Sequence, residues 1–342
     1  MRIAKIMPSK AFRGEVWAKV HPEILRLMVE ANDEPVDGGV GQDGHSMHAA
    51  ALMKQQFSSS VNVIYAINGT GANVLALKRM LRHGDTVLCA EQAHINTYEC
   101  GALEASVGAK ILSIESPDGK LSPALLDTLL LKIKKYKYHP KVVAITQPTE
   151  FGTLYSLAEL KALCDHVHSL GMSVFLDGAR LGAASVALDA SLHQMIEETG
   201  VDVFTFGGTK AGAMFGEMIV SRRPEFADNI SYYQKQSLQH LDKSRFLGVQ
   251  MEYILETGLW LKNAGNANKM AKLLEKKLAA KGVEMFYPVE TNMVFCVIEP
   301  DKLNEITQYF DLHYWDEFTH VVRLATNYLT TEEEINALVA LF

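Results

Sequence analysis

The stretch VDVFTFGGTKAGAMFG, residues 201–216, decides how this chain is read. Val201, Val203, Phe204 and Phe206 form a short apolar run, β-branched and aromatic, which predicts a buried strand. The run breaks into Gly207, Gly208 and Thr209 and then offers one lysine, Lys210, among Ala211, Gly212, Ala213 and Gly216. A lysine that leaves a buried strand with only small neighbours loses hydration. Desolvation disfavours the ammonium form and leaves a nucleophilic amine. The other reading of the same letters is a glycine-rich turn with a solvated lysine. Upstream, MSVFLDGAR (172–180) is a second apolar run, with a carboxylate, Asp177, at its carboxyl end. That aspartate either caps the next segment or faces a ligand.

Working outward, apolar runs and helical periodicities alternate. VNVIYAI (61–67) predicts a strand that ends in NGTGAN (68–73) before an amphipathic helix over 74–81. Further strands are expected over 85–90, 110–114, 141–147 and 172–176. Helices are expected over 22–30, 46–57, 95–107, 122–136 and 156–170, with 217–221 an antiparallel return strand after the lysine loop. Residues 224–280 are helical in pattern. The remainder mixes strands (293–298, 321–325) with helices (300–310, 331–342). Such alternation predicts an α/β fold with a mainly parallel sheet covered on both faces. The expected division is an N-terminal segment 1–45, a large α/β domain 46–250, and a small C-terminal α+β domain 251–342 that includes the linking helix.

A chain of 342 residues with 48% hydrophobic and 21% charged residues has the composition of a globular protein with a large core. Its net charge of −7 argues against nucleic acid or an anionic membrane surface as partner. No run reaches the ~18 apolar residues of a membrane span, and no signal segment is expected at the start. Cys89, Cys100, Cys164 and Cys296 show no CxxC or metal spacing, as expected of reduced thiols in a cytoplasmic protein. The histidines are scattered, so no metal site is expected.

In a parallel α/β sheet, ligands sit beyond the carboxyl ends of the strands. Here those ends carry a small-residue turn suited to an anion (Gly69 to Asn73), a carboxylate (Asp177) and an amine (Lys210). GTGAN is neither the GxGxxG dinucleotide pattern nor a P-loop. Together the three groups ask for a ligand with a phosphate, a protonated ring nitrogen and an aldehyde. Pyridoxal 5'-phosphate has all three.

Four stretches carry a more specific signal: NGTGAN (68–73), HINTYECGALE (94–104), FLDGARLGAA (175–184) and FGGTKAGAMFG (206–216). In this order they resemble the threonine aldolase and aromatic amino acid β-eliminating lyase family. The resemblance implies the aspartate-aminotransferase fold (fold type I), with a mainly parallel seven-stranded sheet and a smaller α+β C-terminal domain. It implies Lys210 as the Schiff-base lysine, Asp177 as the partner of the pyridinium nitrogen, and His94 as the ring stacked on the cofactor. Asn68, Gly69, Thr70, Gly71 and Thr209 fall with the cofactor phosphate. Arg180 resembles an arginine that reaches the cofactor hydroxyl or the substrate carboxylate, and Arg323 one that binds that carboxylate. Gln236, Lys243 and Arg245 are similar to a segment facing the phosphate across a subunit seam, so a homodimer or homotetramer is expected.

Departures from the family pattern ring the substrate end. Where relatives carry FxSD, this chain has Phe12-Arg13-Gly14-Glu15, so a hydroxyl is gone. A YGED-like loop reads Val40-Gly41-Gln42-Asp43. QPTEFG places Glu150 where many relatives have a second histidine, and a carboxylate there suits a general base. The expected reaction is retro-aldol cleavage of a β-hydroxy amino acid, threonine or allo-threonine, to glycine and an aldehyde. Open alternatives are β-elimination, transamination and a PLP-binding protein without catalysis.

Overall fold

The computed structural model describes residues 9–35, 38, 39 and 41–342. Val40 therefore lies outside the described residues. The strands are β1 (Asn62–Ala66), β2 (Thr86–Ala90), β3 (Lys110–Ile114), β4 (Pro140–Thr146), β5 (Ser173–Asp177), β6 (Val203–Gly207), β7 (Glu217–Ser221), β8 (Met293–Val297), β9 (Tyr314–Asp316) and β10 (Val321–Ala325). The first seven form one sheet in the order β1-β7-β6-β5-β4-β2-β3. Only β7 runs antiparallel to its neighbours, as expected for a return strand. The last three form a separate antiparallel sheet, β8-β10-β9.

The strands of the large sheet read as unbroken apolar runs because both faces are covered. In β2 and β7 every residue is buried. Alternate residues divide between two cores: Leu88, Val143, Val174 and Phe204 pack on one face, and Val87, Val142, Phe175 and Val203 on the other. The 21-residue helix Leu259–Ala279 packs against Leu181–Leu188 beside the large sheet and against Glu332–Val339 beside the small one. The chain near Phe12 runs along the small sheet, with a bridge from Arg13 to Ala325 and Phe12 buried in its core.

Several boundaries differ from expectation for local reasons. The helix expected over 95–107 is two helices, His94–Thr97 and Ala102–Val107. Cys100 and Gly101 between them have φ of 53° and 74°, left-handed values that end a right-handed helix. NGTGAN is not a free turn but the first turn of the helix Gly69–Met80, with Asn68 as its N-cap. The helical pattern of 224–280 is broken into Pro224–Ala227, Ile230–Gln236, Arg245–Glu256 and Leu259–Ala279. Strand β9, at three residues, is too short for a periodicity to announce.

Candidate active site

The carboxyl ends of β1, β2, β4, β5 and β6 open on one edge of the large sheet, and each is followed by a residue of interest. After β1, the Asn68 side chain accepts a hydrogen bond from the Gly71 N–H at 2.8 Å and its carbonyl accepts from Ala72 at 2.9 Å. The N–H groups of Gly69 and Thr70 have no acceptor among the described residues. Nothing lies within 4 Å of where a Gly69 Cβ would stand, so the free donors at the positive end of the helix face open space. That is a fitting seat for a phosphate. Gln239 lies across the turn, its Oε1 accepting from the Ile67 N–H at 2.8 Å.

Asp177 ends β5 and is buried. One carboxylate oxygen accepts from the Ala179 N–H at 2.9 Å, the other from Asn73 Nδ2 at 2.8 Å. The same Asn73 nitrogen donates to Glu99 Oε1 at 2.8 Å, and that oxygen also faces His94 Nδ1 at 2.8 Å. The Glu99 contact occupies Nδ1 of His94 and leaves Nε2 as the ring nitrogen that Glu99 does not hold. The ring of His94 is stacked with Tyr98, centroids 5.6 Å apart. His94 and Asp177 are thus joined through Glu99 and one buried asparagine.

Lys210 follows β6 in the short turn Thr209–Ala211. Its Nζ has no ion-pair or hydrogen-bond partner among the described residues, although the side chain is largely buried. Burial, then the Arg180 charge, hold its pKa below the lysine range against the pull of Glu15, Asp177 and Glu217. An unpartnered amine of lowered pKa beside a strand-end carboxylate fits an aldehyde cofactor with a basic ring nitrogen.

Arg180 shares a cavity with Lys210, Glu15, Asn292 and Tyr328. Its Nε and Nη2 donate to the two oxygens of Glu15, and Asn292 Nδ2 donates to Glu15 at 2.7 Å. Burial would raise the Glu15 pKa, but Arg180, with Lys210, outweighs it and holds the carboxyl at about 2. Arg323, on β10, lies in a neighbouring cleft with Arg13, His313 and Trp315, its guanidinium 5.0 Å from the Trp315 ring centroid. No carboxylate pairs with it among the described residues, and burial and the like charge of Arg180 lower its pKa. Glu150 accepts from the His94 N–H at 2.7 Å and the Thr146 hydroxyl at 2.9 Å. Burial, then Asp177, push its carboxyl up to about 7.

The structure therefore brings Asn68, Gly69, Thr70, Gly71, His94, Glu150, Asp177, Arg180, Thr209 and Lys210 to one sheet edge, with Arg323 approaching from the small sheet. Gln236 donates to the Tyr232 hydroxyl, and Arg245 to the carbonyls of Ala31 and Glu34. Reasoning from the sequence missed Asn73 as a linker, Glu99 as the partner of His94, and Glu15 as the partner of Arg180. Glu99 lay inside a quoted motif, but a continuous helix there would have hidden its turn toward His94.

A sheet of this order, with the lysine and aspartate on adjacent strand ends, belongs to the aminotransferase-like class of α/β enzymes. An aspartate aminotransferase from Thermus thermophilus superposes with a TM-score of 0.75 over 98% of this chain and 91% of its own, at 14% identity, which speaks to fold alone. A threonine aldolase from Leishmania major superposes with a TM-score of 0.89 at 32% identity, over 96% of each chain. A low specificity L-threonine aldolase from a Pseudomonas species is 37% identical over 301 residues, 87% of each chain. The family model described as beta-eliminating lyase matches residues 13–300. The chain belongs to that family.

Proposed function

We propose that this protein cleaves β-hydroxy α-amino acids, threonine and allo-threonine among them, to glycine and an aldehyde, with pyridoxal 5'-phosphate as cofactor. The observation that carries the reading is the Lys210 amine, half-buried and unpartnered among the described residues, on the strand end next to that of Asp177, in a chain so similar to threonine aldolases. The free N–H groups of Gly69 and Thr70 would hold the phosphate, with Asn68, Gly71 and Thr209 shaping the seat. Asp177, oriented by Asn73, would keep the ring nitrogen protonated, and Lys210 would bond the aldehyde carbon. When bound, the cofactor supplies an electron sink for the carbanion left on the α-carbon.

The chain's own groups do the rest. Arg323 has no carboxylate partner among the described residues and is the anchor for the substrate carboxylate, with Arg180 beside it. Glu150, whose proton affinity is poised near neutrality, takes the proton of the β-hydroxyl. His94, bonded to Glu99 through Nδ1, would stack on the cofactor ring. Residues 46–250 form the cofactor-holding unit and 251–342 the cap that carries Arg323. Among the described residues no helix is long and apolar enough to cross a membrane. A cytoplasmic homodimer or homotetramer, taking a small amino acid and neither nucleic acid nor membrane as partner, completes the proposal.

An absorbance spectrum with added pyridoxal phosphate tests it. The visible band of lysine-bound cofactor is expected in the wild type and absent in Lys210→Ala. L-threonine should yield glycine and acetaldehyde. Ammonia as the product would point to β-elimination instead.

A further inference from the structure

Glu217 opens β7 at the place where the lysine loop returns to the sheet. In register it lies between Gly207, at the end of β6, and Ala66, at the end of β1. It is 5% exposed, so its carboxyl is shut away from water between the anion-binding turn and the lysine turn. Its Oε2 accepts from the Gly208 N–H at 3.1 Å, and the Thr209 side chain supplies a second hydrogen bond. The two residues immediately before Lys210 are therefore both tied to this one carboxyl. A buried carboxylate at such a position costs several kcal/mol of desolvation unless a cation offsets it. Among the described residues no Lys or Arg lies within ion-pair distance of it.

We propose that Glu217 is a positioning residue for Lys210: it clamps the Gly208–Thr209 turn that carries the lysine, and its charge sets the pH at which that amine is neutral. The proposal rests on the reading of Lys210 as the amine that bonds the cofactor. Burial lifts the Glu217 carboxyl to about 7, with Asp177 adding to the rise and Thr209 and Lys210 opposing it. Other charged groups also bear on the amine: Arg180 after β5, Asp177 at its end, and Glu15 from the N-terminal turn. Arg180 lowers the affinity of the amine for its proton, whereas Asp177 and Glu15 raise it together with Glu217. Removing the Glu217 charge must then push the amine's titration lower.

The test uses the full chain freed of cofactor, with formaldehyde and a borane reductant as probe. The rate of reductive methylation at Lys210 is followed against pH by peptide mass. In the wild type, Lys210 is expected to react at lower pH than the exposed Lys54. Glu217→Gln, which keeps the acceptor oxygen for Gly208, should move the Lys210 midpoint down by about one pH unit, a roughly tenfold rate gain below the midpoint. Glu217→Asp, which keeps the charge, should hold the wild-type midpoint. A Lys210 midpoint that is lowered in the wild type but identical in Glu217→Gln overturns the proposal. A wild-type Lys210 that reacts over the same pH range as Lys54 overturns the reading of Lys210 itself. Should Glu217→Gln not fold, the wild-type curve decides. Two electrostatically coupled groups give a biphasic rate–pH curve, and a single ionisation would sink the idea.

Discussion

Glu15 reaches Arg180 across 165 positions of sequence, its two oxygens 2.7 and 3.2 Å from Nε and Nη2 of the guanidinium. The pair sits in the same cavity as Lys210 and is sealed by Asn292. Removing one member of a buried pair strands the other charge. Glu15→Ala is therefore expected to cost about 3–5 kcal/mol of stability by urea unfolding, and Glu15→Gln less.

The same contact gives a pH signature. The folded carboxyl titrates at about 2 against 4.5 for the free group, so its stabilisation is present above 4.5 and lost as pH falls toward 2. The linked contribution is on the order of 3 kcal/mol for so buried a group. Denaturation measured at pH 6 and pH 3 should show the loss in the wild type and a smaller one in Glu15→Gln. Equal losses in both would place the acid sensitivity elsewhere.

Glu150 behaves in the opposite sense, since its carboxyl is raised to about 7. A base works only when deprotonated, so cleavage should climb with pH through about 7 and then level. Glu150→Gln is expected to lower kcat by roughly 10²–10⁴ and abolish that limb, leaving the cofactor band in place. An unaltered profile would hand the role to His94.

Asn73 holds Asp177 and Glu99 with one nitrogen. A hydrogen bond to a charged group contributes about 1.5–3 kcal/mol, so Asn73→Ala should weaken pyridoxal phosphate binding roughly 10- to 100-fold. Titration of the cofactor band measures this. Unchanged affinity would show that Asp177 needs no orienting partner.

Gly178, next to Asp177, has backbone behind it: a Cβ there would stand 2.0 Å from the Thr205 carbonyl oxygen. Strand β6 cannot yield as a side-chain tip can. Gly178→Ala should cost about 1–3 kcal/mol, seen as a fall in Tm, and also disturb cofactor binding, because the Asp177 strand end must shift. A wild-type Tm would mean that the two strands separate easily.

The sequence alone determined the alternation of strand and helix, the residues at the strand ends and the return strand 217–221. It could do so because burial on both sheet faces writes a continuous apolar run into each strand, and a small-residue turn marks where each run stops. It could not reveal that Asn68 caps a helix, that Cys100 and Gly101 split another, or that Glu15, Asn73, Glu99 and Glu217 hydrogen-bond to Arg180, Asp177, His94 and Gly208. Those partnerships depend on which strand ends become neighbours, and the order β1-β7-β6-β5-β4-β2-β3 is fixed by packing between segments far apart in the chain. A buried charge finds its partner in space, and no local periodicity encodes that choice.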